Sequence, residues 1–145
     1  MQEAGEPLRL KYEAAHYGPY AHNLNKVLEV LEGHFITGSG DSQKPDVEIE
    51  LLPGAVEEAE AFLTAKEDSL HRLERISDVI EGFETPYGME LLSSIHWVCN
   101  RNSAKNVEQA IQGIYQWNDR KRKIFKEEHI KIAWERLNAQ GWLLG

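Results

Sequence analysis

Gly82-Phe83-Glu84-Thr85-Pro86-Tyr87-Gly88-Met89-Glu90-Leu91-Leu92 separates two segments of helical pattern. Ile76, Val79 and Ile80 precede it at helix spacing; Leu91, Leu92, Ile95 and Val98 follow at the same spacing. Gly82 falls where a helix ends on a residue of positive φ. Thr85 followed by Pro86 has the pattern of an N-cap and a proline in the first turn. One helix stops there, the chain turns, and another starts. Phe83, Glu84, Tyr87 and Glu90 crowd the new helix start, where its free N–H groups favour carboxylates. The ordinary role of such a stretch is a well-capped helix hairpin.

Outward from this turn, the composition is that of a folded protein. Of 145 residues, 41% are hydrophobic, including four Trp, five Tyr and four Phe, enough for one domain with a real core. The expected division is a disordered leader over 1–10 and a single domain over 11–145. The acidic start Met1-Gln2-Glu3-Ala4-Gly5-Glu6 has no signal-peptide pattern, and no apolar run is long enough to span a membrane. A single cysteine, Cys99, fits a reducing cytoplasm. The net charge of −8 is unevenly spread. Residues 46–90 hold thirteen acidic and three basic residues, and residues 91–145 hold five acidic and nine basic. An acidic middle repels phosphates and attracts basic protein surfaces, although most charge runs are simply solvated.

The pattern predicts an α+β fold, mainly helical, with about five helices, a small β-hairpin and a winged-helix-like C-terminal part. Gly18-Pro19 is expected to open the first helix, with Leu24, Val27, Leu28 and Leu31 as its stripe and Gly33 as its end. His34-Phe35-Ile36-Thr37 and Val47-Glu48-Ile49-Glu50-Leu51 have strand character and suggest a hairpin around a loop at 38–42. A long helical region follows from about Ala55 to Glu81, with a bend between Thr64 and Ser69, where apolar residues are missing from the expected places. Its outer face carries Glu57, Glu58, Glu60, Glu67, Asp68, Glu74, Asp78 and Glu81, like charges that repel at helical spacing. The helix from Pro86 to about Cys99 has apolar residues on several sides and is expected to be the most buried. Asn102-Ser103 is expected to cap the next helix, Asp119-Arg120-Lys121-Arg122-Lys123 to form a basic loop, and 127–139 to form the last helix. Lys126 is a poor N-cap for it. Trp142-Leu143-Leu144 has the pattern of a closing strand.

No catalytic constellation stands out. There is no HExxH, no paired cysteines, no Walker pattern and no triad in a recognisable context. His96 and Cys99 stand three apart, but packing explains them better than a nucleophile pair that lacks an orienting group. His16 and His22 have no third ligand at motif spacing. The chain is therefore expected not to be an enzyme and to need no cofactor and no metal.

GFETPYGMELL with Ser93-Ser94-Ile95-His96-Trp97-Val98 resembles the C-terminal part of the DarG antitoxin family. So do Lys11-Tyr12-Glu13-Ala14-Ala15-His16-Tyr17-Gly18-Pro19-Tyr20-Ala21-His22-Asn23-Leu24, the run from Leu28 to Asp41, and Glu50-Leu51-Leu52-Pro53-Gly54-Ala55. The resemblance runs from about Lys11 to the C-terminus. It implies a domain that binds and inhibits DarT, a DNA ADP-ribosyltransferase acting on thymine in single strands. In that family, removal of ADP-ribose from DNA belongs to a macrodomain, for which this chain has no room.

An enzyme that grips single-stranded DNA needs a basic groove with stacking platforms. Carboxylates can stand in for phosphates there, and aromatic rings for bases. The expected function is inhibition by mimicry of single-stranded DNA, with Glu84, Tyr87 and Glu90 as central contacts. Phe83, Thr85, Tyr17, Tyr20, Glu81 and Asp78 are expected nearby. The alternative is a winged-helix-like nucleic-acid-binding or autoregulatory module using the basic 120–123 loop, which a pI near 5.2 disfavours.

Overall fold

The computed structural model describes residues 1–39 and 48–144. Val47 and the loop residues from Gly40 to Ser42, assigned above to the hairpin, lie outside the described residues. The expected class is found: a mainly helical α+β protein with small antiparallel strand pairs. In chain order, β1 (Tyr12–Ala15), β2 (Gly18–Ala21), α1 (Leu24–Leu31), β3 (Ile36–Thr37) and β4 (Glu50–Leu51) come first. Then follow α2 (Ala55–Leu63), α3 (Glu67–Ile80), α4 (Pro86–Asn100), α5 (Val107–Trp117), α6 (Asp119–Ile124) and α7 (Glu127–Ala139). No described helix is long and apolar enough to cross a membrane.

Packing divides the chain into two compact units. One comprises residues 1–12 and 21–75, the other residues 13–20 and 76–145. In the first, β3 and β4 form the expected hairpin, antiparallel with Ile36 opposite Leu51 and Thr37 opposite Glu50. Its only buried apolar side chains among the described residues are Ala21, Ile36 and Ala55. The leader segment of this unit carries a 3₁₀ turn at Gln2–Ala4. Gln2 bonds both backbone groups of Leu10, and Glu6 accepts from Ser69 and Arg72.

The second unit holds the core. Leu91, Leu92, Ile95, Val98 and Cys99 of α4 pack with Ala110 and Ile114 of α5, Phe125, and Ile130, Ala133 and Leu137 of α7. α4 is the most buried helix, as its many-sided apolar pattern predicts. Gly113 allows α5 to approach it closely, since a Cβ there would meet Val98 at 3.2 Å.

Seven α-helices are described where five were expected, and the departures from the expected elements have identifiable causes, some local and some tertiary. The long acidic helix is broken at 64–66, the expected bend, where the chain turns on a Lys66 N–H to Leu63 carbonyl bond. Gly18-Pro19 does not open a helix. Gly18 has φ +120° and is buried against Ser94, so the segment becomes β2. Proline fits because both strands of a two-stranded sheet are edges.

Ser103 has φ +61°, which rules it out as an extended N-cap. Asn106 takes that role, its side chain accepting from the Gln109 N–H at 2.9 Å. The basic run is α6 rather than a loop, because Asn118 caps it through the Lys121 N–H at 2.8 Å. Lys126 makes no side-chain cap on α7.

The strand expected at Trp142–Leu144 does not form, so the winged-helix outline has no closing strand among the described residues. Those backbone groups go elsewhere: Asn100 donates to the Trp142 carbonyl and accepts from the Leu144 N–H, and the Trp142 N–H bonds Leu137.

Candidate partner-binding site

The turn between α3 and α4 is closed by its own residues. Gly82 has φ +86°, and Glu84 accepts from its N–H at 2.8 Å. Thr85 Oγ1 accepts from the Gly88 N–H at 3.0 Å, the N-cap expected from the sequence. A Cβ on Gly88 would lie 2.5 Å from the Phe83 carbonyl oxygen, so only glycine fits there. Arg136 of α7 donates to the carbonyls of Asp78, Val79 and Glu81 at 3.3, 3.2 and 2.7 Å, and its guanidinium lies 5.3 Å from the Phe83 ring centre. A cation thus satisfies the last carbonyls of α3, where the helix dipole is negative. Arg136 binds backbone oxygens of this turn, and Asp78, Glu81 and Glu84 are exposed.

Glu90 is differently placed. Arg120 grips it through two bonds, 2.7 and 3.1 Å, and Lys121 Nζ lies 2.6 Å from Oε1. Lys121 is fully buried, bonds Ser94 Oγ at 3.2 Å, and lies 4.9 Å from the Trp117 ring and 5.3 Å from that of Phe125. Burial works to raise the Glu90 carboxyl, but the bonds and charges of Arg120 and Lys121 outweigh it and hold Glu90 below the usual carboxylate range. Burial lowers the Lys121 ammonium against the opposing pull of Glu90. Glu90 is therefore an internal counter-ion, its side chain only 11% exposed.

Tyr17 sits at the tip between β1 and β2, 69% exposed, with the Arg120 guanidinium 4.6 Å over its ring. The tip is fixed by Trp117 Nε1 donating to the Ala15 carbonyl at 2.9 Å and Asn118 donating to that of His16 at 3.0 Å. Tyr87 points inward. Its hydroxyl lies 2.8 Å from His129 Nδ1 and 3.3 Å from the Ile124 carbonyl, its ring packs edge-on to Phe125 and His129, and burial raises its phenol.

The predicted residues thus fall into two groups. Tyr17, Glu90 and Tyr87 are linked through Arg120, Lys121 and Phe125. Asp78, Glu81, Phe83, Glu84 and Thr85 make the α3–α4 corner. Tyr20 lies on β2, 43% exposed. The sequence reading missed Arg120, Lys121 and Arg136 as organisers. For Lys121 the sequence offers only its place between Trp117 and Phe125, four residues from each; Asn118 separates α5 from α6, so the three do not share one helical stripe.

His96 and Cys99 are better explained by packing than as a nucleophile pair. His96 Nε2 lies 2.8 Å from Asn100 Nδ2, and burial pushes the Cys99 thiol up. Among the described residues no cluster of three or more His, Cys, Asp or Glu could hold a metal ion.

The first unit carries most of the charge, with fourteen acidic and seven basic residues against ten and nine in the second. Glu57, Glu58, Glu60, Glu67, Asp68 and Glu74 are exposed on α2 and α3, and among the described residues no ion pair holds any of them. The same unit exposes Val30 at 73% and Phe62 at 69%.

No family model matches the chain. It is 38% identical over 143 residues to a DNA ADP-ribosyl glycohydrolase of Thermus aquaticus, an alignment spanning 99% of this chain and 39% of that protein. Proteins of the same name from Mycobacterium bovis and Mycobacterium tuberculosis are 34% identical over 142 residues, spanning 93% of this chain and 40% of theirs. The DarG resemblance is thus met by relatives along nearly the whole chain. The chain spans about two fifths of their length.

Proposed function

We propose, from the premise that this chain is homologous to part of the DNA ADP-ribosyl glycohydrolases, that it is an antitoxin domain. It binds and inhibits a DNA ADP-ribosyltransferase of the DarT type. In this reading it corresponds to a part of those proteins that recognises the transferase and takes no part in hydrolysis. The domain acts by occupying a cleft built for single-stranded DNA.

The observation that carries this reading is the state of the carboxylates. Glu57, Glu58, Glu60, Glu67, Asp68 and Glu74 in one unit, and Asp78, Glu81 and Glu84 in the other, are exposed and outside any ion pair among the described residues. Unpaired like charges cost stability at helical spacing and are repaid when a cationic surface covers them. Phe62 and Tyr17 offer exposed rings where a DNA cleft offers stacking platforms. Glu90 serves this reading indirectly: it binds Arg120, whose guanidinium lies over the Tyr17 ring.

Calorimetry of the domain with its cognate transferase tests the reading. A Glu67→Arg/Glu74→Arg/Asp78→Arg variant that folds normally is expected to bind at least ten-fold more weakly, with a shallower dependence on salt. Unchanged affinity in that variant would refute it.

A further inference from the structure

We infer that the cavity beside α5 is a docking groove for an extended, uncharged stretch of polypeptide supplied by the transferase. That the partner is the transferase rests on the reading above; the groove's chemistry stands independently.

The cavity measures about 470 Å³ and lies wholly within the second unit. Ala14, Asn102, Gln109, Gln112, Gln116 and Trp117 line it, and none of its lining residues is charged. The chain as a whole has 28% charged residues.

Gln109, Gln112 and Gln116 follow the i, i+3, i+7 spacing that sets side chains on one helix face. Gln109 Oε1 accepts from the Lys105 N–H at 2.8 Å. Gln112 and Gln116 make no side-chain hydrogen bond among the described residues. A carboxamide offers both a donor and an acceptor, the complement of a peptide group. A row of them can follow an extended backbone.

The strand beside the groove strengthens this choice. Ala14 belongs to β1, whose only described neighbour is β2. Among the described residues no strand pairs with the other edge of β1, and an edge without a strand neighbour can accept a further strand. The Trp117 indole is held at that strand's end by its 2.9 Å bond to the Ala15 carbonyl. A nucleotide fits less well, because no lysine or arginine lines the cavity to meet a phosphate.

The test uses the full chain and its transferase. In Gln112→Leu/Gln116→Leu the size is kept and the hydrogen bonding removed, at exposed positions where folding is not at stake. Affinity is expected to fall at least ten-fold with the salt dependence unchanged, unlike the charge-reversal variant above. Amide hydrogen exchange at residues 13–15 is expected to slow on complex formation. Affinity within two-fold of wild type with no added protection would overturn the groove while leaving the antitoxin reading intact. Gln112 and Gln116 side-chain NMR signals that shift with an oligothymidylate would overturn it in favour of a nucleobase site. A wild-type domain that fails to bind the transferase would remove both readings together.

Discussion

The ammonium of Lys121, with no solvent exposure, lies 2.6 Å from Glu90 Oε1, and Arg120 binds both oxygens of the same carboxylate. One carboxylate thus serves two cations, so Glu90 is the member the cluster tolerates losing least. Glu90→Ala leaves a buried ammonium unpaired and is expected to cost about 3–5 kcal/mol of stability. Lys121→Met keeps Glu90 paired with Arg120 and is expected to cost much less. Urea unfolding of both variants checks the order.

The same pair predicts the acid limb of stability. The folded-state pKa of Glu90 is held below its ordinary value of 4.5. Its stabilisation is therefore fully present above that ordinary value and is lost as pH falls through the lower, folded one. Glu90→Gln is expected to be less stable at neutral pH and to lose less than wild type on acidification, measured by thermal unfolding between neutral and acid pH.

Thr85→Ala removes the acceptor for the Gly88 N–H. The expected loss is about 1 kcal/mol, with Thr85→Ser close to wild type. Chemical unfolding measures it. Binding to the transferase at equal folded concentration separates capping from contact.

Gly88→Ala sets a methyl group 2.5 Å from the Phe83 carbonyl oxygen, which is backbone and cannot turn away. The α3–α4 corner must shift, at a cost of roughly 1–3 kcal/mol. If the corner contacts the partner, affinity falls as well. Unfolding midpoints and calorimetry on the same preparation distinguish the two effects.

What was legible in the sequence was local. Thr85-Pro86, Gly82 and the apolar spacing of α4 define the central turn correctly, because capping and glycine geometry act within a few residues. Gly18-Pro19 misled, because the helix-start pattern was overridden by a tertiary contact with Ser94, 76 positions away. The basic run misled because charge pattern says nothing of pairing: Arg120 and Lys121 turn inward to Glu90, while Lys123 stays exposed. The sequence offers Glu90 and Tyr87 as central contacts and shows nothing of their internal bonding. Their partners, Arg120, Lys121 and His129, lie 30 to 42 residues on, beyond the reach of any periodicity.

Competition at the transferase tests the central claim most directly. A fluorescent oligothymidylate bound to a catalytically inactive DarT-type transferase is titrated with this domain, and anisotropy reports what stays bound. Mutually exclusive binding is predicted: the oligonucleotide is fully released at one domain per transferase, and the charge-reversal variant needs at least ten-fold more protein. A stable ternary complex, with DNA retained while the domain is bound, would contradict the account.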